Sequence, residues 1–472
     1  MKKLILIFFL FFTLNVFAQT IVCDNSAVAD AYKLALLTVD INTRRGVLAA
    51  GADYGGEWTR DISINSWNGV SMLRPKVAEQ SLWSVTDNKD KIGHQYWDKI
   101  IWVIAAYNHY QVTGDLNFLK QAFKCSNNTM KELELLIFDK NYGLFMGPSV
   151  FNDGIAAYPE PIYEPLNFSS SVLDHKSSSK IKCLSTNCVY YGAYIALNQM
   201  SKLLNENDKR SDLYMSKAEK LKSSILKNFY NSEKNNFYYL IDHQGIINNS
   251  QEALGISFAV IFGIIEGEKA NHLIRDAVVS KYGITSIFPD LPRYSKEKPG
   301  RHNNIIWPMV SGFFAKASID ANNFESFSFE LNNLIHLALD ENKGNYDFRE
   351  VYNPYSGLPD GGYQHNGQEH PDYHWESCKL QTWSATAYIN MIQYGLAGMR
   401  NLNDGLLFSP FLPNNIHHLE INDFKYRNST LNIVLNGNGK KIKTFLLNGN
   451  IQTSNKIDTR ISGVNRIVIE LE

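Results

Sequence analysis

The sequence has no excess of charge of either sign, since 46 lysines and arginines stand against 47 aspartates and glutamates. No run of like charges occurs along it, so it lacks the basic surface that nucleic acid or an anionic membrane attracts. After the N-terminus, no segment reaches the roughly 18 consecutive apolar residues of a membrane-spanning helix. These absences predict no nucleic-acid partner, and no membrane partner once the N-terminal signal described below is removed.

Cysteine is also scarce, with five residues in a chain of 472. A chain this long can bury a core large enough to fold without disulfides. Cys183 and Cys188 lie close in sequence and could close a small disulfide loop. The odd total leaves at least one thiol free or paired between chains.

The N-terminus has the pattern of a secretion signal. Lys2 and Lys3 precede a continuous apolar run at residues 4–11, and Val16-Phe17-Ala18 places small or aliphatic residues at the expected cleavage positions. We therefore predict a signal peptide at residues 1–18 and a secreted or periplasmic protein.

Helical periodicity dominates from about residue 26 to 400. Apolar residues recur at i, i+3, i+4 and i+7 and predict about eleven helices, at 26–43, 62–80, 97–105, 115–138, 189–203, 208–229, 251–265, 267–280, 304–319, 322–340 and 380–394. After Asn401, short β-branched segments separated by Asn-Gly turns predict a small antiparallel β domain. The predicted organisation is a helical catalytic domain at 19–401 and a β domain at 402–472.

Four loops between the helices combine polar and aromatic residues, and aromatic rings can stack on the C–H faces of sugars. In the first, Trp58 offers such a ring, while Arg60 and Asp61 offer charge-assisted hydrogen bonds to vicinal hydroxyls. The same residues are equally consistent with an ordinary helix N-terminus.

The second loop contains Asp153 in a turn rich in Gly, Pro and Asn. As a general acid it would need a raised pKa, which desolvation by Phe151 and Tyr158 could provide. A simple Asx turn is about as consistent with this segment. Glu160 on the same loop is the substitute acid.

The third loop contains His302, Asn303 and Trp307, which would supply a polar edge and a stacking ring to a sugar subsite. The alternative is a helix start with a core tryptophan.

The fourth and longest loop begins with Glu350, a candidate base that could hold a water molecule. A long loop is usually functional or disordered, and its aromatic content argues against disorder. The substrate-binding residues predicted here are Tyr352, Gln381 and Trp383.

These segments resemble the six-hairpin glycosidases. Residues 56–61 (GEWTRD) look like the Trp-x-Arg-Asp motif of glycoside hydrolase family 15 glucoamylases. Residues 350–357 (EVYNPYSG) are similar to the Glu-x-Tyr-Asn-Pro-x-(Ser/Thr)-Gly motif of family 63, whose Glu is the general base. Residues 381–385 (QTWSA) resemble the helix start that follows the base in both families. Asp153 falls where family 63 and trehalases place the general acid, although its local motif differs from theirs.

The resemblance implies an (α/α)6 toroid with exo-acting, inverting hydrolysis of an α-glucoside or α-mannoside in an oligosaccharide or small glycoside. Glu350 would activate a water and Asp153 would protonate the leaving oxygen. An inverting enzyme needs its carboxyl groups about 6.5–9.5 Å apart, and a retaining one about 5 Å. In family 63 an extra β domain usually precedes the helices, whereas here it follows them.

Other functions are also consistent with parts of the sequence. A non-catalytic glycan-binding protein could use the same toroid, and a phosphorolytic or lyase enzyme would dispense with a water-activating Glu350. A metal site at His365, His370, His374 and Glu376 is disfavoured because their spacing matches no helical i, i+4 pair. We predict no cofactor and no metal, and interpret these four as residues at the rim of the sugar site.

Overall fold

A computed structural model describes residues 19–93, 97–204 and 208–472, so the predicted signal peptide at 1–18 lies outside the described residues. Within them, twelve helices follow one another along the chain. Helix α2 continues through a π-helical turn, Ser66–Val70, and a last turn, Ser71–Leu73, and α12 continues through the π-helical Met391–Leu396. Helices α1 to α12 are Ser26–Ile41, Thr59–Asn65, Pro75–Ser84, Ile101–Thr113, Leu116–Ile137, Leu184–Leu203, Asp208–Phe229, Ala253–Ile261, Gly267–Arg275, Pro308–Asp320, Phe324–Leu339 and Thr382–Asn390.

The even-numbered helices form a closed inner ring, in which each packs against the next and α12 packs against α2. Every residue of α2 and α12 is buried, because these helices are covered on both sides. The odd-numbered helices surround them and bury one face each. In α5, for example, Phe118, Leu119, Ala122 and Phe123 are buried at helical spacing. This arrangement confirms the predicted toroid of six helical hairpins.

One predicted helix, at 62–80, is two helices. The inner helix α2 ends its last turn at Leu73, and Pro75 begins the outer helix α3. Proline lacks a backbone N–H and is tolerated in the first turn of a helix but not in its interior. The apolar pattern continues across the break, so periodicity alone merges an inner helix with the outer helix that follows.

Connections from an outer to an inner helix are long, whereas those in the other direction are short. The chain takes residues 138–183 to pass from α5 to α6 and 340–381 to pass from α11 to α12, but only Gly114 and Asp115 join α4 to α5. The long loops therefore converge at the N-terminal ends of the inner helices. Their short strands and 3-10 turns are Thr43–Arg44, Val47–Leu48, Thr86–Asp87, Lys91–Ile92, Phe138–Asp139, Leu144–Phe145, Ile155–Ala157, Val172–Asp174, Ser178–Lys180, Lys182–Cys183, Tyr230–Asn231, Asn236–Phe237, Leu240–Ile241, Ile247–Asn248, Gln251–Glu252, Val279–Ser280, Gly283–Ile284, Ile287–Phe288, Tyr363–Gln364 and Tyr373–His374.

The β unit has a six-stranded sheet in the order β1-β4-β5-β9-β6-β7 and a smaller antiparallel sheet of β2, β3 and β8. The predicted all-antiparallel arrangement of the β unit is wrong in one place. After β6, β7 and β8 the chain returns so that β9 pairs with β5 in the parallel direction. The N-terminal strand β1 pairs with β4, which no local sequence signal indicates. The strands β1 to β9 are Thr20–Cys23, Met399–Leu402, Gly405–Phe408, His418–Tyr426, Asn428–Asn436, Ile442–Leu447, Asn450–Ile451, Lys456–Asp458 and Ser462–Leu471.

All five cysteines are free, so Cys183 and Cys188 do not close the disulfide loop that their spacing would allow. Cys183 packs in a small cluster with Tyr158 and Tyr239, whereas Cys188 lies in the main core. Their side chains therefore occupy different parts of the interior. Across the described residues, no helix combines the length and apolarity that a membrane crossing requires.

Glu330 is a fully buried carboxyl group on the outer helix α11. Its Oε1 accepts a hydrogen bond from the backbone N–H of Ile284 at 2.8 Å. Burial raises the pKa of Glu330 to about 7. The native state therefore holds this proton more tightly than the unfolded chain, and the free energy of unfolding falls as the pH rises from the unfolded pKa towards 7.

We expect Glu330→Gln to remove this pH dependence, because the amide is neutral at every pH and keeps an acceptor for Ile284. The variant should gain roughly 1–3 kcal/mol over the wild type at pH 8 and little at pH 5, as measured by urea unfolding. Glu325→Gln, exposed on the same helix, is the control and should follow the wild type at both pH values. Equal curves for Glu330→Gln and the wild type at pH 8 would contradict the prediction.

Candidate active site

The N-terminal ends of the inner helices open into a pocket of about 370 Å³. Trp58, Trp307 and Gln381 line it and directly precede α2, α10 and α12. A helix N-terminus carries partial positive charge. This end of the ring therefore favours the carboxylates that gather in the pocket.

Glu350 is held in this pocket by three hydrogen bonds. Its Oε1 accepts one from Arg301 at 3.0 Å, and its Oε2 accepts one from the Tyr54 hydroxyl at 3.0 Å and one from the backbone N–H of Cys378 at 3.4 Å. The residue is buried, with only 3% of its surface exposed. These contacts fix both carboxylate oxygens and leave one edge of the group facing the pocket.

Arg60 lies within 4 Å of three carboxyl groups. Its nearest side-chain nitrogens are 2.6 Å from Asp153, 3.7 Å from Asp61 and 3.8 Å from Asp98. Burial raises the pKa of Asp61 to about 7 and that of Asp98 to about 6, although Arg60 opposes both shifts. One cation does not neutralise three neighbouring carboxylates, so protonation is shared unequally among them.

Asp153 has the opposite shift to the one expected from the sequence. Burial alone would raise the pKa of Asp153, but the positive charges of Arg60 and Arg301 hold it below its ordinary value. Tyr158 does not raise the pKa of Asp153 by a hydrogen bond. Its hydroxyl accepts a hydrogen bond from the backbone N–H of Ser149 and donates one to the carbonyl of Asn152. Asp153 is therefore ionised near neutral pH.

The loop that carries Asp153 is anchored by Glu252, which directly precedes α8. The hydroxyls of Ser149 and Ser185 both donate to Glu252 Oε1, and the backbone N–H of Ser185 donates to Oε2 at 3.0 Å. Burial raises the pKa of Glu252 to about 7. The anchor fixes the chain four residues before Asp153.

Several polar atoms that line the pocket have no hydrogen-bond partner among the described residues. His302 stacks on Trp307 with ring centroids 4.4 Å apart and is buried, and burial lowers its pKa to about 3, so it is neutral. Unpaired buried polar groups are costly, and the hydroxyls of a ligand could satisfy them. The unpaired polar atoms that line the pocket belong to His302, Trp307, Gln364, Trp375, Gln381 and Trp383.

The structure brings nine of the eleven predicted site residues together. The nine that line one pocket are Trp58, Arg60, Asp61, Asp153, His302, Trp307, Glu350, Gln381 and Trp383. Tyr352 and Asn303 do not line it, and their predicted placement is wrong. Tyr352 pairs through its backbone with Ile306 and packs in the core, and Asn303 accepts a hydrogen bond from the backbone N–H of Leu291.

The substitute acid Glu160 and the histidines of the fourth loop lie outside the catalytic arrangement. Glu160, the substitute acid, is exposed and does not line the pocket. His365 stacks on Tyr163 at 5.4 Å, and His374 lies 2.7 Å from Asp360. Among the described residues, no three His, Cys, Asp or Glu side chains are grouped as metal ligands would be.

Four of the polar or aromatic residues that line the pocket and were missed at the sequence level are Tyr54, Arg301, Gln364 and Trp375. Tyr54 and Arg301 stand beside predicted residues, and a polar group adjoining a motif is a signal that could have found them. Gln364 and Trp375 come from the middle of the long loop before α12. Nothing in their local sequence distinguishes them from their neighbours.

Comparison with known proteins points to glycosidases. Residues 75–375 match the model of the mannosylglycerate hydrolase MGH1-like glycoside hydrolase domain. A solved sialidase superposes with a TM-score of 0.70 at 15% identity, covering 90% of this chain and 40% of its own. The GH78 family rhamnosidase of Bacillus sp. GL1 gives 0.62 at 11% identity, over 96% and 43%. This chain thus spans about two fifths of the length of either protein.

The GH63 mannosylglycerate hydrolase from Thermus thermophilus, solved in complex with Tris, superposes with a TM-score of 0.58 at 14% identity, over 77% of this chain and 100% of its own. No curated protein sequence matches the chain. At such identities the likeness to solved structures concerns the fold. Because the family model covers more than half of the chain, and includes the loops that carry Asp153, Arg301 and Glu350, the chain belongs to the mannosylglycerate hydrolase MGH1-like glycoside hydrolase family.

Proposed function

We propose that this protein is a secreted, exo-acting hydrolase that cleaves an α-linked glycoside, an α-glucoside or α-mannoside, with inversion. The observation that carries the proposal is a pair of carboxylates, Glu350 and Asp153, facing one pocket lined by aromatic rings. The pocket has the size of one or two sugar rings. The Thermus thermophilus relative has been solved with glucose and with Tris and D-glycerate, which favours a small glycoside here too.

The ring order supports this pairing. Asp153 lies in the loop before α6, the third inner helix, and Glu350 in the loop before α12, the sixth. In a closed ring of six helices these two positions are opposite each other. A sugar held between them would have one carboxylate on each side of its anomeric carbon, as a displacement by water requires.

Glu350 is the proposed base. Arg301 and Tyr54 hold its two oxygens, so the group cannot turn away from a water molecule placed on its free edge. A base so fixed would take the proton from the water as the water attacks the anomeric carbon.

Asp153 is the proposed acid because it lies nearer the opening. Its side chain is 33% exposed, whereas that of Asp61 is 7% exposed. The leaving group of an exo-acting enzyme departs towards the opening, while the sugar occupies the closed end. A bound substrate would also cover Asp153, and this desolvation would oppose the effect of Arg60 on its pKa.

The other pocket residues have binding roles in this proposal. Asp61 would hold hydroxyls at the closed end. Burial raises its pKa to about 7, so near neutral pH the carboxyl group is present in both forms and can donate or accept a hydrogen bond. The unpaired polar atoms of His302, Gln381 and Trp383 would hydrogen-bond further hydroxyls. Trp58, which is 39% exposed, would stack on the sugar at the opening.

We expect Glu350→Gln to lower kcat/KM by about a thousandfold or more, because the amide accepts no proton from water. The variant should still bind the product sugar, as measured by calorimetry. Glu160→Gln, on an exposed residue, is the matched control and should keep wild-type rates. Full activity in Glu350→Gln would refute its role as base, and absence of hydrolysis in the wild type across a panel of aryl glycosides and disaccharides would favour a glycan-binding protein.

We expect Asp153→Asn to slow substrates with poor leaving groups far more than activated aryl glycosides, since only the former need a proton. For a poor leaving group, kcat of the wild type should fall as the pH rises through the pKa that Asp153 has when substrate covers it, because the protonated fraction falls. Asp153→Asn should lose this alkaline limb. If the limb persists in Asp153→Asn and disappears in Asp61→Asn, the acid is Asp61.

We expect NMR spectra taken during the first turnovers to show a product of inverted anomeric configuration. A water between the base and the anomeric carbon gives inversion in one displacement, whereas a covalent intermediate on Glu350 would give retention. A product of retained configuration would contradict the one-step mechanism while leaving the glycosidase assignment in place.

A further inference from the structure

A second cavity, of about 280 Å³, lies at the opposite end of the inner ring, between the toroid and strand β2. Its walls include α4, α10 and the π-helical continuations of α2 and α12. π-helical turns are rare and are frequently found at functional sites. None of the residues assigned to glycoside hydrolysis lines this cavity.

Lys316, on α10, is buried in the wall of this cavity with 8% of its surface exposed. Its Nζ lies 4.4 Å from the ring centroids of both Trp67 and Tyr394. Asp320, one turn further along α10, accepts a hydrogen bond from the Tyr394 hydroxyl and lies 3.9 Å from Arg400. Lys316 itself forms no hydrogen bond or ion pair with any described residue, and a buried charge without such a partner is costly.

Three features of the protein offset part of this cost. The first is the negative charge of Asp320, which raises the pKa of Lys316, although Arg400 opposes this effect. The ring faces of Trp67 and Tyr394 attract a cation, and Lys316 lies near the C-terminal end of its helix, where carbonyl groups favour positive charge. Burial nevertheless lowers the pKa of Lys316 to about 8. The protein therefore does not fully compensate the cost of burying the Lys316 charge, and an anion bound beside Nζ would supply the missing stabilisation.

The rest of the lining is suited to hydroxyl groups. The side chain of Asn390 and the Oδ1 atom of Asn401 have no hydrogen-bond partner among the described residues. Gln393 has one weak contact, from its Nε2 to the Tyr32 hydroxyl at 3.4 Å. Half-buried faces of Trp67 and Tyr394 flank these amides. An ammonium group, amides and ring faces together match a ligand that carries one carboxylate, several hydroxyls and an apolar C–H face.

We propose that this cavity is a second binding site, which takes a sugar acid of monosaccharide size with its carboxylate at Lys316 and its hydroxyls at Asn390 and Asn401. The site is independent of the catalytic pocket, from which the full length of the inner helices separates it. It does not depend on which glycoside the enzyme hydrolyses.

The test is calorimetric titration of the full chain with D-glucuronate, with D-glucose as the neutral counterpart. D-Glucuronate should bind saturably, and Lys316→Met should weaken it about tenfold or more, as loss of a charge-assisted hydrogen bond does. Above pH 8, binding should take up protons, since the carboxylate raises the pKa of Lys316, and titrations in buffers of different ionisation enthalpy measure this uptake. Lys234→Met, on an exposed lysine, is the control and should bind as the wild type does.

The outcomes separate this site from the proposed hydrolysis. Lys316→Met should keep the wild-type rate on the glycoside substrate, whereas Asp61→Ala should lose that rate and keep D-glucuronate binding. No saturable binding to the wild type, equal affinity in Lys316→Met, or loss of binding in Asp61→Ala alone would overturn the inference without touching the glycosidase assignment. If Lys316→Met does not fold, Asn390→Leu should show the same loss of affinity.

Discussion

The contact between Arg60 and three carboxyl groups is the interaction on which the site depends. Arg60 reaches Asp153 across the pocket, from the start of α2 to the loop before α6, so one side chain links two separate elements of the ring. Without its positive charge, Asp61, Asp98 and Asp153 would repel one another in a buried space. Asp153, which is the nearest of the three to Arg60, is held as an anion, whereas burial raises the pKa values of Asp61 and Asp98.

The outer helix α7 was easier to predict than the inner helix α8, for a physical reason. An outer helix has one buried and one exposed face, so apolar and polar residues alternate at helical spacing up to its ends. The bounds predicted for α7, 208–229, accordingly agree with the observed Asp208–Phe229. The inner helix α8, covered on both sides, spans only Ala253–Ile261 within the 251–265 expected, because an all-round apolar segment gives no periodic contrast at its ends. Strand β1 was missed because its partner, β4, lies about 400 residues away.

Nine of the pocket residues could be predicted because many of them cluster directly before inner helices, as Trp58, Trp307 and Gln381 do. The direction of the pKa shift of Asp153 could not be predicted, since Arg60 and Arg301, which lower this pKa, lie on other segments of the chain. The predicted placement of Tyr352 in the pocket was wrong for a related reason. Its backbone pairing with Ile306 turns the ring into the core, and such a long-range contact leaves no trace in the local sequence.

The ring closes where the first and last parts of the chain meet. Helix α1 packs against α12, and Asn42 donates to Leu380 and Thr382 while Thr382 donates to Ala49. The catalytic pocket straddles this seam, with Tyr54 and Arg60 on one side and Glu350 and Gln381 on the other. Separation of α1 from α12 would move these groups apart while the middle hairpins stay packed. Enzymatic turnover is thus an early reporter of damage that optical measures of helix content would not yet register.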